Sequence, residues 1–324
     1  GIAAVALVAT SLEESTGSAD PDVDYLGAVT LVLGVGTLLV GLQLLEGASA
    51  AALPLLLLGT VGLAAFYFVE RRASQPLVPL SLFRDRTFGS TNAAAFLSSF
   101  ALFAAITYVP LYVQSVGSGA GSAAVAVFPI SIGWSGTSFL SGQVVARVGE
   151  RRLVRAGTGT LVVSFAIAAA VWSTATPLWL LVSNVFLMGV GMGALTPPLL
   201  TAIQNHLGTG RMGLATSSQQ FFRNLGGTAG VAVLGFVMNV TLRDRLATVP
   251  GVASIGDLQR LLLGGTPPAG LGTVMMAGLR VVFVASLGVC LLAAVAAWAV
   301  PAPGAAGPSP FEEREDPRSS NADD

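Results

Sequence analysis

Residues 121–155 read GSAAVAVFPISIGWSGTSFLSGQVVARVGERRLVR, a long uncharged run that ends abruptly in four arginines. Residues 121–146 contain no ionisable side chain. At ~1.5 Å per residue a helix of this run is ~39 Å long, enough to cross a hydrocarbon layer of about 30 Å. The run therefore predicts a membrane span, and with it the fold class.

The four arginines follow this span within one short connector. They are Arg147, Arg151, Arg152 and Arg155, and the next apolar run begins at Ala156. Short connectors rich in Arg stay on the cytoplasmic side of a membrane. We therefore expect this connector to be cytoplasmic and to fix the orientation of the helices on either side of it.

The composition of the whole chain agrees with a membrane protein. Of its 324 residues, 53% are apolar and only 10% are charged, whereas soluble domains carry about 25% charged residues. All 16 basic residues are Arg, which we interpret as a genomic composition bias. Cys290 and His206 are the only residues of their types, so the sequence predicts no disulfide framework, no metal site and no cofactor.

Eight apolar runs predict complete membrane helices, which makes the fold an all-α polytopic helical bundle. The runs are 25–45, 50–69, 89–112, 121–146, 156–172, 178–200, 213–239 and 273–300. Residues 1–10 are apolar but too short to span and lack signal-peptide features, so we interpret them as the remnant of a preceding helix and the sequence as a C-terminal fragment.

The predicted segments between and around these helices complete the organisation. We expect an acidic linker at 11–24, a two-helix hairpin at 25–70, a cytoplasmic Arg-rich connector at 71–87, a six-helix bundle at 88–300 and a disordered tail at 301–324. The longest connector, 241–272, is expected outside, either with a short interfacial helix near Ser254 or as a disordered loop.

Proline and glycine positions predict where these helices bend and where they pack closely. Pro110 and Pro129 should kink their helices, and Pro197 with Pro198 should break theirs near its cytoplasmic end. Two pairs of glycines have the four-residue spacing of a close helix–helix contact. These pairs are Gly189 with Gly193 and Gly226 with Gly230.

One charge, Arg223, lies well inside a predicted span. An ionisable residue inside a membrane is costly and usually faces a water-filled cavity, so it indicates function; the alternative is a packing anchor part-way into the membrane. A pathway for lipophilic substrates also needs polar and aromatic groups, although each polar group could instead form a hydrogen bond with a neighbouring helix. The candidates are Asn92, Tyr108, Gln114, Trp134, Asn184, Gln219 and Gln220.

Several segments of the chain resemble one family of transporters, and two of them carry the comparison furthest. Gly142, Arg147, Gly149, Arg151 and Arg152 resemble the cytoplasmic-loop signature of the major facilitator superfamily, with Ala146 where that signature has its Asp. The segment ERRASQPLVPLSLFRDRTF, residues 70–88, is similar to the loop before the second bundle in the fourteen-helix drug:proton antiporter branch.

This resemblance implies a function. It implies the C-terminal part of a proton-coupled multidrug efflux transporter that works by alternating access, with residues 25–70 as the inserted hairpin. The implied partners are the lipid bilayer, a small lipophilic or cationic substrate, protons and the missing N-terminal half of the chain. The implied location is the bacterial plasma membrane, with the C-terminus in the cytoplasm.

Other functions stay open at this point. The same fold could export a metabolite or a siderophore, or serve as a non-transporting sensor or scaffold. A membrane enzyme is disfavoured, because we find no His/Asp/Glu cluster, nucleophile elbow or phosphate-binding loop. Nothing in the sequence predicts nucleic-acid binding. No acidic residue lies deep in a predicted span, so the sequence identifies no proton-carrying carboxylate.

Overall fold

The computed structural model describes residues 24–46, 49–72, 82, 85–115, 119–208, 211–246 and 270–301. These residues form eight α-helices and no strand, which confirms the all-α prediction. The helices are α1 (Tyr25–Glu46), α2 (Ala52–Glu70), α3 (Arg86–Ser115), α4 (Gly119–Val148), α5 (Glu150–Val171), α6 (Leu178–Leu207), α7 (Met212–Leu246) and α8 (Leu271–Ala299).

Seven of these eight helices are long and apolar enough to cross a membrane, so the chain is a multi-pass membrane protein. Helix α4 is the segment from which the fold was predicted. It is helical as expected and, with 30 residues, ~45 Å long. Its uncharged run, residues 121–146, is long enough to cross a membrane as well.

Several helices extend beyond the predicted apolar runs because polar residues continue them. Helix α5 begins at Glu150 rather than at Ala156, so Arg151, Arg152 and Arg155 belong to its first turns. The connector to α4 is reduced to Gly149, whose φ of 88° suits glycine. Helix α6 ends at Leu207, seven residues beyond the predicted end, so the predicted connector 201–211 is mostly helical.

The prediction that Pro197 and Pro198 break their helix is wrong, because α6 continues through both prolines. Proline at position 197 cannot donate a hydrogen bond to the carbonyl of Gly193, four residues earlier. The hydroxyl of Ser141 on α4 replaces that donor, with its Oγ 3.0 Å from the Gly193 oxygen. Helices α3 and α4 likewise run without interruption through Pro110 and Pro129.

Helix α3 is at the centre of the molecule and packs against α4, α6, α7 and α8. Helix α6 packs against α4 and α5, and α5 packs against α8. The pair α1 and α2 pack on each other, and α1 lies against α7. About half of the large apolar side chains of this pair, including Leu33 and Leu57, are exposed, as expected of a surface that faces lipid.

Glycines bring two pairs of helices into backbone contact. A Cβ on Gly193 would lie 2.5 Å from the carbonyl oxygen of Trp134, and one on Gly189 would overlap the backbone of Ile130. On α7, Cβ atoms at Gly226 and Gly230 would overlap the backbone of α3. These contacts fix α4 on α6 and α7 on α3, and so set the positions of the side chains described below.

Polar contacts link helix ends to one another at both ends of the helical bundle, which we call its two poles. At one pole, Nε2 of His206 lies 2.9 Å from Oδ2 of Asp85, which joins the end of α6 to the start of α3. Nδ2 of Asn205 donates to Glu150 at 2.5 Å, which joins α6 to α5. At the other pole, the Tyr112 hydroxyl donates to the carbonyl of Ser173 at 3.1 Å.

The first pole also holds the end of α8. The guanidinium of Arg155 stacks 4.3 Å above the Trp298 ring and donates to its carbonyl at 3.2 Å. Because the four arginines near the α4–α5 junction lie here, we call this the arginine pole. The predicted helix remnant at 1–10, the linker before Asp24, the helix near Ser254 and the tail after Pro301 lie outside the described residues.

Candidate functional site

Helix α7 exposes a stripe of polar side chains. Ser217, Gln220, Asn224 and Thr228 are all exposed, and their spacing of three or four residues places them on one face of the helix. Within the described part of the chain, the side chains of Gln220 and Asn224 make no hydrogen bond. Polar groups in a membrane helix face protein or water rather than lipid. We call these four residues the α7 stripe.

Arg223 lies beside this stripe and reaches helix α4. Its side chain is half-buried, and Cζ lies 5.9 Å from the centroid of the Trp134 ring. This distance is within the range of a cation–π contact. The buried Nε of Arg223 has no hydrogen-bond partner among the described residues. The guanidinium therefore keeps donor capacity for a ligand.

Trp134 is held in place from two sides. Its ring meets that of Phe103 on α3 edge to face, with centroids 6.3 Å apart, and its backbone rests on Gly193 of α6. Phe103 in turn packs over Gly227, where a Cβ would lie 2.9 Å from the ring. The chain thus brings Arg223 and Trp134 together on a surface built from α3, α4 and α7.

The exposed face of α4 continues this surface with alternating aromatic and hydroxyl side chains. Phe128 and Phe139 are 64% and 67% exposed, and the exposed Ser131 and Ser135 lie between them. Large aromatic groups interleaved with hydroxyls suit a face that binds varied apolar molecules with some polar atoms. Together with Arg223 and the α7 stripe, this face forms the candidate site, which we call the α4–α7 surface.

Of the other predicted site residues, Gln219 lies next to the stripe but points inward. It is 3% exposed, and its Nε2 donates to the carbonyl of Thr196 on α6 at 3.2 Å. Gln220 is the neighbour that remains on the surface. The two adjacent glutamines therefore differ, one joining α7 to α6 and the other available to a ligand.

Four further candidates lie away from the α4–α7 surface or are engaged elsewhere. The buried Tyr108 hydroxyl donates to Val231 of α7 at 2.7 Å, and Asn184 donates to Ser164 of α5 at 3.1 Å. Asn92 is buried near the start of α3 and lines a cavity of about 290 Å³ with Phe222. Gln114 is half-buried in the last turn of α3.

The residues of the loop signature lie at the arginine pole. Gly142, Arg147 and Arg152 are exposed, Arg151 is half-buried and Gly149 precedes α5. Glu150, which follows Gly149, accepts the hydrogen bond from Asn205. This junction therefore holds α4, α5 and α6 together without the aspartate that Ala146 replaces.

Sequence reasoning missed several residues that the structure makes prominent. Asn224, Thr228 and Ser217 were not singled out, although their spacing with Gln220 is readable from the sequence once α7 is known to be helical. Asp85 was also missed. It accepts a hydrogen bond from the Phe88 amide at 2.8 Å, as a helix N-cap does, and contacts His206.

Comparisons with known proteins agree with this architecture. The family model described as the Major Facilitator Superfamily matches residues 24–231. The multidrug transporter protein MdtP of Bacillus subtilis is 32% identical over 284 residues, which cover 84% of this chain and 52% of that protein. A tetracycline resistance determinant of Streptomyces rimosus is 32% identical over 232 residues, covering 69% of this chain and 66% of that protein.

A third relative extends the same pattern. Multidrug resistance protein 3 of Bacillus subtilis is 30% identical over 275 residues, covering 78% of this chain and 52% of that protein. The chain thus spans between half and two thirds of the length of these curated relatives.

Proposed function

Because this chain belongs to the major facilitator superfamily, we propose that it forms part of a multidrug efflux transporter and supplies the α4–α7 surface to the substrate pathway. Two relatives are named for multidrug transport or resistance and one for tetracycline resistance, which supports a drug as substrate. We also propose that the transporter lies in the bacterial plasma membrane with the arginine pole in the cytoplasm.

The observation that carries the proposal is the α7 stripe. Its four polar side chains are exposed on a helix that is otherwise apolar enough to span a membrane. Exposed to lipid, such a stripe would be unfavourable; facing a water-filled pathway, it would be solvated and free to bind ligands. This reasoning favours a transport surface that meets a second helical bundle of the same transporter and opens alternately to each side.

The charge on this surface favours one class of substrate. Arg223 contributes a positive charge with an unpartnered donor, and no described carboxylate lies in the middle of any helix. A guanidinium binds carbonyl and anionic oxygens and repels cations. We therefore propose that a lipophilic molecule with acceptor oxygens binds better here than a lipophilic cation, although the aromatic face of α4 accepts the apolar part of either.

The proposal also includes the coupling of transport to protons. A proton-driven pump needs a titratable group in its pathway. The carboxylates that the structure describes, among them Asp85 and Glu150, lie at helix ends. We therefore propose that the group carrying the coupling proton lies outside the described helices.

Efflux from cells that express the protein tests these proposals. Cells are loaded with tetracycline or with the cationic dye ethidium, and the loss of each is followed with and without a protonophore. We expect faster loss of tetracycline than in cells without the protein, a smaller effect on ethidium, and no active loss of either after the protonophore. Efflux that is unchanged by the protonophore would contradict proton coupling but not transport. Equal loss of drug from cells with and without the protein would contradict the transport function itself.

Arg223 variants test the site itself. Arg223→Ala removes both the charge and the donors, so we expect tetracycline efflux to fall by about tenfold, the size of one lost charge-assisted hydrogen bond. Arg223→Lys keeps the charge and should retain part of the activity. Membrane levels of each variant are measured by immunoblot as the control, and wild-type efflux by a fully inserted Arg223→Ala variant would exclude Arg223 from the pathway.

A further inference from the structure

A cavity of about 570 Å³ lies at the pole opposite the arginine pole. It opens between the end of α5 and the first turns of α8, two helices that are not part of the α4–α7 surface. Trp172 and Thr174 line it on the α5 side, and Thr273, Met276, Arg280 and Val284 line it on α8. The α8 residues recur every three or four positions, so they form one continuous face of that helix.

Arg280 places a positive charge in this cavity. It is exposed and makes no ion pair within the described residues. It lies nine residues after the start of α8, or ~14 Å along the helix axis. Along α8, Val284, Leu291 and Val295 are each more than half exposed, as expected of side chains that contact lipid. A charge next to such a face is unfavourable unless an anion pairs with it.

Trp172 forms part of the wall of the same cavity. The residue is only 3% exposed, and its indole Nε1 has no hydrogen-bond partner among the described residues. An edge-to-face contact with Phe283, with centroids 4.8 Å apart, fixes the indole. Buried donors are nearly always bonded in folded proteins, so this one indicates an acceptor that is not among the described residues.

We propose that this cavity binds the phosphate headgroup of an anionic phospholipid such as phosphatidylglycerol. Arg280 pairs with the phosphate, the Trp172 indole donates to one of its oxygens, and the hydroxyl of Thr174, which also lines the cavity, assists. Met276 and Val284 contact the start of an acyl chain, which continues along the exposed apolar face of α8. That continuity favours a lipid over a free anion.

The lining also predicts which headgroup is preferred. No carboxylate lies among the described residues that line the cavity. The ammonium of a zwitterionic headgroup would find no anionic partner there and would be repelled by Arg280. Phosphatidylglycerol should therefore bind more tightly than phosphatidylethanolamine. This site is separate from the transport surface, so its test does not depend on transport.

Native mass spectrometry of the full chain, purified in detergent and titrated with phosphatidylglycerol, measures the site. We expect Arg280→Gln to weaken binding of the first lipid by about tenfold, because a charge-assisted bond is lost. Trp172→Phe keeps the contact with Phe283 but removes the N–H, and should weaken binding by about threefold. Arg280→Lys should restore most of the affinity.

The matched control is Arg86→Gln, which removes the same charge from an exposed position at the start of α3. It should leave lipid binding unchanged, and equal melting temperatures for all variants show that each is folded. Equal phosphatidylglycerol binding by wild type and Arg280→Gln would overturn the proposal. Competition by inorganic phosphate alone at similar concentration would overturn the lipid assignment, because it would show that the cavity recognises any phosphate.

Discussion

A single hydroxyl accounts for the uninterrupted course of α6. Pro197 leaves the Gly193 carbonyl without its usual helical donor, and Ser141 of α4 supplies one at 3.0 Å. The same hydroxyl lies 3.1 Å from the carbonyl of Ser138 in its own helix, so its proton is shared between two acceptors. In a membrane, where no water can reach a free carbonyl, such a replacement stabilises the helix more than it would at a wet surface.

Replacing this hydroxyl should therefore destabilise the protein. We expect Ser141→Ala to lower the free energy of unfolding by about 1 to 2 kcal/mol, since the buried Gly193 carbonyl loses its donor. The matched control is Ser138→Ala on the same helix, because the Ser138 hydroxyl is buried without a partner and its removal should be close to neutral. Thermal unfolding in detergent measures both.

A double-mutant cycle makes this prediction specific to the proline. Pro197→Ala restores the backbone N–H that bonds Gly193, so Ser141→Ala should have a smaller effect in that background than in the wild type. Additive effects of the two substitutions would show that Ser141 stabilises α6 in some other way.

At the scale of helices, the sequence predicted most of what the structure shows. Long apolar runs placed all eight helices, because only a helix can satisfy its backbone within lipid. The errors occur where polar residues continue a helix beyond the apolar run, as Glu150 and Arg151 do in α5. Hydropathy shows which residues lie within the membrane and not where a helix ends, so these extensions were not predictable from it.

The candidate site was less predictable, because exposure is a tertiary property. Gln219 and Gln220 look alike in the sequence, yet one is buried against α6 and the other is exposed. Arg223 was singled out by its charge alone, whereas its contact with Trp134 depends on how α4 and α7 pack around α3. The α7 stripe becomes visible only when the buried side of that helix is known.

The glycine contacts between α3 and α7 should be essential for this packing. Gly226→Ala would place a Cβ on the backbone of Phe96, so we expect it to destabilise the protein by about 1 to 3 kcal/mol or to abolish folding. Gly213→Ala, in the first turn of the same helix, meets no atom within 4 Å and should change the free energy of unfolding by less than about 0.5 kcal/mol. Melting temperatures and expression levels distinguish the two, and similar effects of both would contradict the packing.

For the whole molecule, the two poles impose a pattern of membrane crossings. The start of α3, the junction of α4 and α5, and the end of α6 meet at the arginine pole through Asp85, His206, Asn205 and Glu150. Alternate helices must therefore run in opposite directions through the bundle. This geometry requires α4 to cross the membrane, as its uncharged run at residues 121–146 predicts.

Thiol labelling tests this pattern, because the one natural cysteine, Cys290, is 1% exposed and should not react. Cysteine is introduced at three exposed positions, as Arg86→Cys, Arg152→Cys and Thr174→Cys, and each variant is treated with a membrane-impermeant maleimide. With the arginine pole in the cytoplasm, intact cells should label only Thr174→Cys, and permeabilised cells all three. Arg86 begins α3 and Arg152 follows α4, so the two positions lie on the same side of the membrane only if both helices cross it or neither does. The hydrogen bond of Tyr112 at the far pole excludes the second case, because it places the end of α3 there. Labelling of Arg86→Cys and Arg152→Cys from opposite sides of the membrane would show that α4 does not cross. Labelling of both in intact cells, without labelling of Thr174→Cys, would show instead that α4 crosses but that the arginine pole lies outside the cell.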